Sequence, residues 1–114
     1  MEITKQDWKL FRQKLPGWQE AYMDRLNREY AGILAGAGNP SDKFRALEKR
    51  VRQDKRSPGV LVEVRRSNML PALIGLMRDG TISLEDLDGF SQDLQDALGF
   101  LMGRHIEEDT HGTI

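Results

Sequence analysis

The chain predicts an all-α fold of one domain, and three observations carry that expectation. Its 114 residues suffice for one domain that buries roughly 65% of its unfolded surface without covalent staples. Apolar residues recur at spacings of three and four along most of the length, the repeat of a helix rather than a strand. The connectors carry helix punctuation, with glycine after one segment and proline or a capping pair before the next. Together these point to a compact bundle of four to five helices over residues 1–103, followed by a flexible tail at 104–114.

The first helix begins at Thr4, with Asp7 as its capping partner three residues on. Trp8, Phe11 and Leu15 share one face of it. Pro16-Gly17 is expected to interrupt the helix, because proline removes a donor and restricts the residue before it. A longer helix then carries Trp18, Tyr22, Leu26, Tyr30, Ile33 and Ala37 on one side. Its broad aromatic face should form the main core against Leu94, Leu98 and Leu101.

The third helix runs from about Pro40 to Lys55. Phe44, Leu47 and Val51 make only a narrow stripe there, so this helix should bury little. Val60 to Val64 can be read as a strand or as the start of a helix reaching Met77 with a kink at Pro71. The helix is preferred, since no second strand is available for pairing. Asp79-Gly80-Thr81-Ile82-Ser83 is a connector, with Gly80 stopping one helix and Ser83 and Asp86 capping another. Leu84, Leu87, Leu94, Leu98 and Leu101 give that last helix its apolar face.

With no cysteine there is no disulfide, thiol nucleophile or thiolate metal site, and a reducing cytoplasm is the expected setting. The N-terminus lacks the basic start and apolar core of a signal peptide. The longest apolar stretch, Met69 to Met77, falls far short of the ~18 residues a membrane span requires.

Chemistry is sparse. His105 and His111 both fall in the tail, where a general base lacks the rigid surround it needs. Asp79 to Ser83 looks like part of a calcium loop, but in that register Gly75 and Met77 replace two leading carboxylates. Asp86, Asp93 and Asp96 read as the solvated side of an amphipathic helix rather than a catalytic group. Ala35-Gly36-Ala37-Gly38 follows a helix, whereas a phosphate loop follows a strand. No catalytic residue, metal or cofactor is expected, and the chain reads as non-enzymatic.

Charge supplies the strongest functional signal. The net charge is only −1, yet residues 42–66 hold nine bases against four acids, and residues 79–114 hold nine acids against one base. The candidate interaction surface is Lys49, Arg50, Arg52, Arg56, Arg65 and Arg66. The expected function is protein recognition, with the basic face of one copy meeting the acidic face of another in a homodimer. The alternative is nucleic-acid binding by segment 43–66, with Lys43 among its bases and Asn68 reaching a base edge. A pI near 6.1 weighs against that alternative.

Four stretches also carry a resemblance: Asp7 to Phe11 through Pro16 to Tyr22, Gly38 to Phe44, Val64 to Met69, and Glu85 to Ser91. In that order they resemble a family of small uncharacterised proteins from anaerobic Gram-positive bacteria, over nearly the whole chain up to about Arg104. The resemblance implies a helical protein and carries over no activity, cofactor or catalytic residue. Some members bear a multidrug-transporter label, from which this sequence departs because no stretch of it can cross a bilayer. We treat that label as an error of name transfer.

Overall fold

A computed structural model describes residues 2–112, with side chains placed for residues 2–103. Four α-helices follow one another: α1 (Lys5–Ala35), α2 (Pro40–Asp54), α3 (Met69–Arg78) and α4 (Gln92–Gly112). Short 3₁₀ turns at Arg66–Asn68 and Leu84–Leu87 precede α3 and α4, and no strand occurs among the described residues. The expected all-α bundle is thus formed, in a somewhat drawn-out shape. Its radius of gyration is 17.0 Å, against about 13 Å for a rounder domain of this length. The 31 residues of α1 explain the difference, since a helix of that length measures about 46 Å.

Pro16 does not divide that helix, contrary to the expectation from its missing donor. A proline inside a helix costs about 3 kcal/mol through a lost hydrogen bond and a ring clash, but a break would also disperse a continuous apolar stripe. Phe11, Leu15, Trp18, Tyr22 and Leu26 stay within about 80° of each other only if the helix runs straight through. The rings of Phe11 and Trp18 lie 6.2 Å apart across the proline. Trp18 also stacks on Phe90, at 6.3 Å. Packing along the stripe outweighs the lost bond.

The main core joins Phe11 to Met69, Leu73 and Leu76 of α3, to Ile82, Leu87 and Phe90, and to Leu94 and Leu98 of α4. This corrects the expected core. Tyr22 and Leu26 are buried but lie outside that cluster, Trp18, Tyr30 and Leu101 are only half-buried, and α3 occupies the centre. Asp7 ties the start of α1 to the start of α4. Thr4 Oγ1 accepts from its backbone N–H at 3.1 Å, while its buried carboxylate accepts from the N–H of Ser91 at 2.9 Å and from the Ser91 hydroxyl. Ser91 Oγ in turn accepts from the Leu94 N–H at 3.3 Å, so the first turn of α4 is capped by a relay from α1.

Residues 60–64 form neither the preferred helix nor a strand. Val60 closes a turn on the Ser57 carbonyl, and beyond it Val62 and Val64 pack on the core while Leu61 and Glu63 lie outside. The alternation is therefore a genuine two-sided pattern without a ladder. Pro71 causes no kink because it is the third residue of α3, where its missing N–H would have no helical partner. The helix expected from Ser83 to Leu101 is split at Gly89, whose φ of 93° suits glycine and ends the 3₁₀ turn. Asp86 nevertheless accepts from the Ser83 N–H at 2.8 Å, as the capping pair required.

Asp79 fastens the connector after α3. Its carboxylate accepts from the backbone N–H groups of Gly59 and Thr81, at 2.8 and 2.9 Å, and from the hydroxyls of Ser57 and Thr81. The oxygens that resemble a calcium ligand are thus taken up by donors of the chain itself. Gly59 comes so close to Tyr22 and Thr81 that an added Cβ would sit 2.3 Å from Thr81 Oγ1 and 2.4 Å from the Tyr22 ring.

Candidate functional site

Beyond Tyr22 and Leu26, α1 extends past the main core and α2 returns along it. The pairing is antiparallel: Lys43 meets Leu34 at the tip, whereas Arg50 and Asp54 meet Glu29 and Tyr30 nearer the core. This arm is held largely by polar contacts. Lys43 Nζ donates to the Leu34 carbonyl at 3.0 Å, supplying the cation that the last turn of α1 lacks. Tyr30 donates its hydroxyl proton to Asp54 at 2.6 Å. Burial, reinforced by the bond to Asp54 and its negative charge, pushes the Tyr30 phenol up to about 12, with the Arg50 cation opposing.

The remaining faces of α2 define the site. At about 100° per residue, Phe44, Leu47, Val51 and the stem of Lys55 lie within about 80° of each other. Arg45, Lys49 and Arg52 occupy the adjoining 60° or so as a basic row, and Arg56 follows in the turn after α2. No side chain of α2 is buried; Phe44 is 70% exposed and Val51 42% exposed. A shallow groove of about 460 Å³ lies along Phe44, Leu47, Glu48, Val51, Arg52 and Lys55. Val51 and Lys55 also border a second groove of about 190 Å³, whose far wall is Met23, Leu26 and Tyr30 of α1.

The six bases expected to form one surface fall into three places. Lys49 and Arg52 share the row, which Arg56 follows in the turn after α2, and Arg52 pairs with Glu48 one turn earlier. Arg50 points toward α1 instead, its guanidinium 5.7 Å from the centre of the Tyr30 ring and 3.5 and 3.4 Å from Glu29 and Asp54. Arg65 pairs with Glu63 at 3.5 Å, and Arg66 donates to the Ile3 carbonyl at 2.8 Å near the start of α1. Helical phase alone separates Arg50 from the row, and it adds Arg45, which the charge count did not single out. Sequence reasoning also treated Phe44, Leu47 and Val51 as a sparse packing stripe, whereas they are the apolar centre of the surface.

Asp86, Asp93 and Asp96 do not converge, and among the described residues no three His, Cys, Asp or Glu side chains could hold a metal ion. His105 and His111, expected in a tail, lie on the last turns of α4, where side chains from residue 104 onward lie outside the described residues. No helix among the described residues is long and apolar enough to cross a membrane. Compared with known proteins, the chain matches no family model, no curated protein and no solved structure.

Proposed function

We propose that the protein works in the cytoplasm as a protein-interaction module, by recognition rather than catalysis, and that the α1–α2 arm is its docking surface. One observation carries the reading: α2 buries no side chain, yet holds an apolar stripe edged by three bases. An apolar centre with a charged rim is the arrangement that protein interfaces use, and Phe and Arg are enriched in them. Covering that stripe would stabilise a complex by roughly 25 cal/mol per Å² of apolar surface removed from water. The alternative from sequence, nucleic-acid binding by segment 43–66, has less support once Arg50, Arg65 and Arg66 are seen engaged elsewhere on the chain.

A photo-crosslinking amino acid at position 44, introduced in cells that make this protein naturally, tests the reading. A discrete protein adduct is expected there, and none above background with the same group at exposed Gln13. Equal background at both positions overturns the proposal. An electrophoretic shift of nucleic acid that falls with salt, and is lost when Arg45, Lys49, Arg52 and Arg56 become glutamate, would put the nucleic-acid reading in its place.

A further inference from the structure

We infer that the occupant of the α2 surface is a second copy of this chain, which presents the acidic side of its α4; the inference rests on the interaction-module reading above. On α4, Asp93, Asp96 and Phe100 lie within about 60° of one another, on a side separate from the core leucines Leu94 and Leu98. All three are exposed, and Phe100 is 68% accessible, the counterpart of Phe44 on α2. One helix therefore shows a phenylalanine beside a row of bases, and the other shows a phenylalanine beside two carboxylates.

Neither set is satisfied within one chain. Arg45, Lys49 and Arg56 form no ion pair among the described residues, and neither do Asp93 and Asp96, although Asp96 accepts from the Gln92 amide at 2.8 Å. In the same molecule α2 leans on α1 and α4 leans on α3, and both phenylalanines stay in solvent. The two surfaces also match in length. Phe44 to Val51 and Asp93 to Phe100 each cover eight residues, about 10 Å of helix. A two-fold axis would make the α2–α4 contact twice, covering four exposed phenylalanines and placing two basic rows against two acidic sides. The apolar centre would supply affinity, and the charges would fix orientation and partner choice.

Sedimentation velocity on the full chain tests this directly. The wild type is expected to shift from monomer to dimer as concentration rises into the high micromolar range, and to shift back with added salt. Changing Arg45, Lys49 and Arg56 to glutamate should weaken dimerisation about tenfold or more, and so should changing Asp93 and Asp96 to lysine. Mixing those two variants should restore the dimer, because each altered face then meets an oppositely altered one. Circular dichroism verifies that both variants keep their helices, and Phe44→Ser, at an exposed position, provides an independent weakening that involves no charge. A wild type that stays monomeric throughout overturns the second copy, as do charge variants that dimerise like the wild type. If the crosslinker at position 44 still captures a different protein in that case, the interaction module stands and only its occupant changes.

Discussion

Helices α2 and α3 differ in a way that their lengths conceal. Ten residues of α3 bury Met69, Ala72, Leu73 and Leu76, whereas fifteen residues of α2 bury none. An isolated helix as short as α2 is marginal in water, so something other than an apolar face must hold it. Its fastening is polar: the Tyr30–Asp54 bond, the Arg50 cation between Glu29 and Asp54, and the Lys43 cap on α1. The contrast shows that burying a helix and placing it are separable tasks. A helix placed by polar contacts keeps its apolar residues free for another molecule.

The sharpest way to break this comparison is to truncate a side chain in each helix. Leu73→Ala should destabilise the fold by about 2–5 kcal/mol, read from denaturant or thermal unfolding, because Leu73 is fully buried at the centre of the core. If that change costs no more than an exposed one, α3 is not the centre. Gly59→Ala should cost roughly 1–3 kcal/mol, since its Cβ would push into Tyr22 and Thr81 where α1 meets the connectors. An unchanged midpoint for that variant would mean the contact is loose.

The polar clasp predicts a smaller effect. Tyr30→Phe should cost about 1 kcal/mol at neutral pH, with Asp54 still facing Arg50. It also has a signature in alkali. The folded pKa of Tyr30, about 12, exceeds the ordinary value of 10.0, so its contribution is complete below pH 10 and lost progressively as pH rises toward 12. The wild type should therefore lose stability over that window more steeply than Tyr30→Phe, in chemical unfolding measured at successive pH values. Smallest of all, Phe44→Ala should change the monomer's stability by within about 0.5 kcal/mol while weakening any complex formed by the arm. A large loss of monomer stability would make α2 a second α3.

Much of this architecture was legible in residue patterns that depend only on local geometry. Pro40 announced the start of α2, Gly80 and Asp86 marked the connectors, and the sparse stripe of α2 foretold its exposure. What local rules misjudged was decided by distant neighbours. Pro16 keeps its helix because Trp18 has Phe90 to stack on, a contact invisible at the position of the proline itself. Residues 60–64 alternate because they cover a core built from α3 and α4, not because a strand pairs with them. In the candidate site, the sign of the charge was plain from composition, but its division was not. A count over residues 42–66 merges Arg50, which clasps Tyr30, with Arg52 on the outer row, although helical phase puts them on different sides.

The carboxylate of Asp7 has a consequence for the order of assembly. Its two partners on Ser91 lie 84 positions later in the chain, so the cap on α4 closes nearly the largest loop the molecule contains. Closing a flexible loop of that size carries an entropic cost on the order of 4 kcal/mol beyond a constant, which only a largely formed core can repay. During synthesis α1 must therefore emerge and wait with an acceptor aimed at a serine not yet made. Until that serine arrives the carboxylate stays hydrated, and its burial signals that the last helix has found the first.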